Sequence, residues 1–426
     1  MKDLQMAWWL NFWDRQVEQK GYGMIPYKPQ DRRLRVCFMI KVNGDGLGGH
    51  YRSLRTTVEA LSERLDCVIV NIGPRVSPIL ESIEARLHFV PFTGKEVFSA
   101  IWKISRILKQ ECPDVINTFD VTALFFAKVT GLRHGLPVVH TKCGGGNPRR
   151  YFPHADSLIV YSSENLEFFQ SKAKFAGTPI SVIPNRVKRF NCDPEKIERL
   201  REHLVDGGPC FLRINRISLS YEQSMMQCIA MVRRLNQDGH VCQLVIVGNL
   251  QDSDVLDRIL KSSNENIHIF MQDDFAVNAK DIIDAADIVV GTGRGFMEAA
   301  CRGKVLMTPL QGANYPLLVS KENFEKVMRT NFSPRNHIDG FDEEKNYQSI
   351  VEAIVNPGER ERLGQLSIEF FNSYFNIDNG VETYLGVLES ARRSGGIRVF
   401  DLLLNAYLCI SGIIESRNLT GPKCIG

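Results

Sequence analysis

Hydrophobic positions along this chain change their period repeatedly. From about residue 34, short runs rich in β-branched residues alternate with longer stretches whose apolar positions recur at helical spacing. That is the signature of βα units building a parallel sheet. The runs "RVCFMI", "CVIVNI", "DVINT", "PVVHT", "SLIVYS" and "SVIPN" predict one series of strands, and "CFLRIN", "CQLVIVG", "IHIFM", "DIVVGT" and "KVLMTP" predict a second. Between residues 188 and 208 the rhythm breaks at Pro194, a charged helical run and Gly207-Gly208-Pro209. The expected class is α/β, with two tandem Rossmann-like domains, residues 31–190 and 207–375, facing each other across a cleft. Ligands of such sheets lie at the carboxyl ends of the strands, so the residues after each run are the candidates for chemistry.

The two ends read differently. Residues 1–30 are expected to form an amphipathic segment: "MAWWLNFWDR" sets Met6, Trp9, Leu10 and Trp13 at i, i+3, i+4, i+7. Lys28, Arg32, Arg33 and Arg35 follow, so peripheral contact with an anionic membrane is one expectation and packing on the first domain the other. Residues 376–426 are expected to be helices and a tail, in which "VFDLLLNAYLCISGII" is too short to span a bilayer and contains Asp401 and Asn405.

Composition narrows the class. Of 426 residues, 44% are hydrophobic and 24% charged, as in globular proteins, and a net charge of +3 does not support a uniformly basic surface for nucleic acid, which leaves only a local basic patch open. Eleven cysteines, an odd number without a C-x-x-C pair, read as reduced thiols and a cytoplasmic setting.

Four places carry candidate chemistry. After the first strand, Gly44, Gly46 and Gly49 satisfy G-x-G-x-x-G, but the second strand ends in Asn71, Gly73 and Pro74 without the acid an NAD site needs. What survives is a glycine turn at a helix start, where a phosphate or sugar hydroxyl approaches the backbone of Gly48 and Gly49, or simply a tight βα turn. His140 ends "PVVH", as a catalytic imidazole or as a hydrogen-bonded core residue. Arg213 and Arg216 bracket the end of "CFLRI" and suit a diphosphate, or are ordinary surface arginines. Gly291, Gly293 and Gly295 open a helix bearing Arg294 and Glu298. There Glu298 can accept from the vicinal hydroxyls of a ribose, or can belong to an exposed ion-pair row with Arg294 and Arg302. Asp252 and Asp254 read as a helix cap, and no metal site is expected.

Taken in order, "GGHYRSL", "VVHT", "VIPNRV", "RINRIS" and "ADIVVGTGRGFMEAACRGKVLMTP" resemble the retaining glycosyltransferases of family 4, of GT-B fold, over residues 34 to 390 or so. The stretch "CGGGNPRRYFPHADSLIVYSSEN" is similar to enzymes that assemble bacterial surface polysaccharides. The resemblance implies metal-independent, cofactor-free transfer of a hexosyl-type sugar from a nucleoside-diphosphate sugar to a glycan or lipid-linked acceptor. It places Glu298 on the donor ribose, Arg216 on the diphosphate, His140 near the transferred sugar, and Gly48 with Gly49 on the acceptor side. Two family residues are replaced: a glutamate by Val290 and a lysine by Tyr221. Arg213 is then expected to supply the missing charge, and Arg294 or the amides of Gly293 to Gly295 to meet the sugar. The rival expectations are a catalytically silent nucleotide-sugar-binding scaffold and a nucleotide-sugar epimerase.

Overall fold

The strands of the first half are apolar on both faces because helices cover both sides of their sheet. In β1 (Arg35–Lys41) every residue after Arg35 is buried. It is followed by β2 (Asp66–Gly73), β3 (Arg86–Pro91), β4 (Val115–Thr118), β5 (Val138–Lys142), β6 (Ser157–Val160) and β7 (Ile180–Val182). These seven form one parallel sheet of order β3-β2-β1-β4-β5-β6-β7. The second half supplies β8 (Cys210–Ile214), β9 (Gln243–Val247), β10 (Ile267–Phe270), β11 (Ile288–Val290), β12 (Val305–Thr308) and β13 (Leu317–Leu318), in the order β10-β9-β8-β11-β12-β13. Only β13 runs antiparallel to its neighbour. The helices that matter for function are α1 (Gly49–Leu61), α2 (Val97–Glu111), α3 (Val121–His134), α4 (Ser163–Gln170), α5 (Leu219–Gln237), α6 (Gly293–Cys301), α7 (Val381–Ser390) and α8 (Val399–Thr420).

This computed structural model describes residues 32–148, 151–205, 208–271, 273–391 and 399–420. The amphipathic segment expected over residues 1–30 lies outside them. Residues 34–426 are one compact unit. Two strands escape the hydrophobic pattern. In β3, Arg86, Phe89 and Pro91 are exposed, and Arg86 pairs with Asp66 while His88 pairs with Glu111. An edge strand shows one half-polar side to water and lacks the continuous apolar run of an inner strand. The antiparallel β13 has only two residues.

The chain passes between the two sheets twice, and the crossings are bonded to each other. The amide of Val187 donates to the Phe375 carbonyl at 2.9 Å, and that of Ile377 to Val187 at 3.2 Å. After the second crossing the chain stays with the first sheet. On α7, Tyr384, Leu385 and Leu388 enter the core with Phe38, Leu54 and Val58, and the Tyr384 hydroxyl reaches Asn117 and Thr141. Helix α8 packs on α3. In each sheet the order reverses beside the first strand, at β1/β4 and at β8/β11. The crevices there are where open α/β sheets bind ligands.

Candidate functional site

Two cavities lie where residues of both sheets meet. The first, of about 390 Å³, is walled on one side by Gly49, His50, Gly144 and Gly145 and on the other by Ser220, Tyr221, Gly293, Asn331 and Arg335. The second, of about 580 Å³, is walled by Arg52, Arg55, Lys188, Phe190, Val277 and Glu298, among others. Arg294 belongs to both walls.

Three helices begin at the smaller cavity: α1, α5 and α6. None of the three is capped by a side chain, and their N-caps are Gly48, Ser218 and Thr292. Some helices elsewhere are capped, α3 by Asp120, α4 by Ser162 and the helix from Ser253 by Asp252, while α2 and α7 are not. A side-chain cap satisfies the first amides of a helix, so leaving it out keeps N–H donors and partial positive charge available to a ligand. The backbone amides of Gly49, His50, Ser220 and Arg294, all of them wall residues, have no acceptor among the described residues. Arg335 adds a cation, paired across the cleft with Glu164 at 2.8 Å. Arg216 stands close by, exposed, with its guanidinium carbon 5.7 Å from the centre of the Tyr221 ring. Burial, with the Arg216 charge adding to it, pushes the His50 imidazole down to about 4, so it is neutral at physiological pH.

Arg294 ties the site together. Its Nε donates to Glu298 Oε1 at 2.8 Å, and its two terminal nitrogens donate to the Arg186 carbonyl at 3.3 Å and to Thr56 Oγ1 at 3.2 Å. One side chain thus joins α6, the first crossing and α1. Glu298 is buried at the edge of the larger cavity, where six cations (Arg52, Arg55, Lys188, Arg189, Lys280 and Arg294) face three acids (Glu59, Asp281 and Glu298). The charge balance suits an anionic ligand. Among the described residues, no cluster of three His, Cys, Asp or Glu side chains is placed to hold a metal ion.

Residues 47–188, which hold α1 and most of the first sheet, match Glycosyltransferase Family 4. That stretch resembles a glycosyltransferase family 4 domain. The fold of the whole described chain is GT-B. HepE of Anabaena, solved in complex with UDP and glucose, is 15% identical, with a TM-score of 0.61 over 83% of this chain and 99% of its own. A glycosyltransferase from Rickettsia africae is 14% identical, with a TM-score of 0.62 over 84% and 98%. The sucrose-phosphate synthase of Thermosynechococcus elongatus is 15% identical, with a TM-score of 0.56 over 84% and 98%. At such identities the likeness concerns the fold. A search of curated protein sequences gives no match.

Within this GT-B frame several sequence expectations need correction. Arg213 is fully buried and lines neither cavity; it donates to the Val290 carbonyl at 2.9 Å and to Ser224 Oγ at 3.0 Å, and burial lowers its pKa. It braces β8 against β11 and α5, so it does not supply the charge of the absent lysine. His140 is also a core residue. Its Nδ1 lies 2.8 Å from Thr118 Oγ1, its ring packs on Phe152, and it is absent from both cavity walls. The amides of Gly293 and Gly295 are occupied by the carbonyls of Asn331 and Thr292, at 3.2 and 3.1 Å, which leaves Arg294 as the residue of that turn able to meet a ligand. The ion-pair row is half present: Arg294 pairs with Glu298 but inside the cleft, while Arg302 pairs with Asp284. Gly49 and Gly293 are in the smaller cavity's wall, and Gly48 is the N-cap beside it.

The sequence reading missed His50, Asn331 and Arg335. His50 had a signal, since it directly follows Gly49 in the helix-opening turn. Asn331, with a positive φ of 58°, and Arg335 sit in an irregular loop after the short helix Phe324–Met328, whose approach to the cleft no local pattern announces.

The buried histidine has a measurable consequence. Desolvation, with the Lys142 charge second, lowers His140 from 6.5 to about 3. The unfolded chain therefore binds this proton more readily than the folded one, and stability is lost as pH falls from about 6.5 toward about 3. Melting temperatures recorded across that window should fall, and His140→Phe should flatten the slope. An unchanged slope would place the acid sensitivity elsewhere.

Proposed function

We propose that the cleft transfers a hexosyl-type sugar, with retention, from a nucleoside-diphosphate sugar to a glycan or lipid-linked acceptor in cell-surface polysaccharide synthesis. The observation that carries this reading is the convergence of three uncapped helix starts and the Arg294 and Arg335 cations on one cavity between the sheets, with Arg216 near its wall residues His50 and Tyr221. Such a place is built for a diphosphate. The larger cavity would take the nucleoside, with Glu298 accepting from the ribose hydroxyls beside Phe190 and Val277. The family 4 match and the UDP bound to HepE support a nucleotide-sugar donor.

In the reaction, the bond between the anomeric carbon and the diphosphate oxygen breaks while an acceptor oxygen bonds to that carbon on the same face. The acceptor proton passes to the departing phosphate, giving a glycoside and a nucleoside diphosphate. Negative charge grows on the diphosphate as the bond lengthens, and the free amides of Gly49, His50, Ser220 and Arg294 stabilise it more in the transition state than before. Arg216 and Arg335 add fixed positive charge, the role that a metal ion plays in other transferases.

The test is a panel of radiolabelled nucleotide sugars incubated with the full-length protein and a membrane extract. Labelled glycan or lipid product, absent in Glu298→Ala, supports the proposal. Nucleotide binding without turnover would favour the scaffold reading, and an isomerised free nucleotide sugar would favour an epimerase.

A further inference from the structure

Over residues 399–411, whose side chains the structure describes, helix α8 is inside out. The buried positions there are Asp401, Asn405 and Cys409, spaced i, i+4, i+8, and the exposed ones are Val399, Phe400, Leu403, Tyr407 and Ile410. Asp401 is held firmly within: the Tyr151 hydroxyl and the Lys174 ammonium both bond its carboxylate, and the His154 amide donates to it at 3.1 Å. The opposite face leaves Phe400 74% and Tyr407 67% exposed. A surface helix in water has the reverse pattern, so this arrangement calls for an apolar phase outside.

A second helix on the same neighbour has a related face. Both α2 and α8 pack on α3. α2 buries Ala100, Ile104 and Leu108 in the core of the first sheet. Its outer stripe carries Phe98, 71% exposed, and Trp102, 56% exposed. Lys95 precedes the stripe and Arg106 and Lys109 continue it, all three exposed, with the Arg106 guanidinium 4.8 Å from the Trp102 ring centre. Glu96, the exposed acid beside them, is engaged by the Thr93 amide and hydroxyl. Aromatic rings between cations are suited to the headgroup boundary of an anionic bilayer. Among the described residues no helix is long and apolar enough to cross a membrane, so the fitting geometry is a helix lying on the surface.

We propose that the outer faces of α2 and α8 form a docking surface for an anionic lipid bilayer, with the α8 apolar stripe entering the headgroup layer and Lys95, Arg106 and Lys109 meeting lipid phosphates. The inference is independent of the donor site. The test is flotation of the full-length protein with phosphatidylcholine vesicles, with and without about 30 mol per cent phosphatidylglycerol. The wild-type chain should float with the anionic vesicles, less so as salt rises. Leu403→Ser/Tyr407→Ser and Phe98→Ser/Trp102→Ser should each weaken vesicle affinity at least about tenfold, because each removes two inserted apolar side chains. Arg106→Gln/Lys109→Gln should lose the preference for anionic lipid. Because these side chains are exposed, melting temperature and nucleotide binding in lipid-free buffer should not change. Unaltered recovery of both apolar variants would overturn the proposal, as when residues 1–31 alone hold the protein to the vesicles. So would a wild-type dimer in light scattering that the apolar substitutions dissociate, since the face would then belong to a second copy.

Discussion

Arg294→Ala is expected to slow sugar transfer by about a hundredfold or more at saturating donor, the scale on which one preorganised donor to a developing charge is usually felt. Three effects act together. The substitution removes positive charge from the walls of both cavities. It leaves Glu298 buried without its 2.8 Å partner, and an uncompensated carboxylate there repels the diphosphate it was arranged to flank. It also deletes the bonds to Thr56 and the Arg186 carbonyl that hold α6 to α1 and to the crossing segment. Arg294→Lys keeps the charge but cannot fork to three acceptors, so it should recover binding more than rate. Nucleotide titration calorimetry and initial rates, measured well below the melting point, separate the two. Wild-type turnover in Arg294→Ala would remove this cleft as the site of chemistry.

The largest effect on folding is expected at Gly291. A Cβ there would lie 2.5 Å from the Phe296 Cα and 2.8 Å from its amide nitrogen. Both are backbone atoms, with no side chain able to swing aside. The Gly291 amide also bonds the Met307 carbonyl at 2.8 Å, which ties the turn to β12. Gly291→Ala must therefore move the start of α6, and a loss of more than about 3 kcal/mol is expected in chemical denaturation. Gly295 is the control. It lies just beyond, in the first turn of α6, without a positive φ, and a Cβ there meets nothing within 4 Å. Gly295→Ala should be neutral or stabilise by up to about 1 kcal/mol, since alanine is the better helix former. Equal losses at the two glycines would mean that the turn tolerates no Cβ at all and that the close approach at Gly291 is not the cause.

The glycines of "GTGRG" thus separate into kinds that look alike in the sequence. Gly291 permits a close backbone approach, Gly293 takes a φ of +49° at the helix start, and Gly295 is ordinary helix. Arg213 and Arg216 diverge in a comparable way. Along β8, Phe211 and Arg213 point to one face of the sheet, where Ser224 and Cys228 of α5 await, so Arg213 is consumed in the core. Arg216 falls beyond the strand end and stays free. His140 has the strand-end position expected of a cleft residue, yet Thr118 on the neighbouring strand and Phe152 enclose it.

Alternation of strand and helix, the two sheets, the glycine turns and the acidic residue on α6 are local matters, set by side-chain period and backbone freedom within a few positions, and the sequence alone determined them. Which polar groups remain unpaired at the cleft is a matter of contacts between distant segments. His50 is brought opposite Tyr221, Arg294 reaches Thr56, and α8 turns its polar stripe inward to Tyr151 and Lys174, each through packing between segments far apart in the chain, while Asn331 reaches Gly293 within the second half. Only the tertiary structure decided these, because a side chain's partner depends on what the fold places beside it and not on its neighbours in the chain.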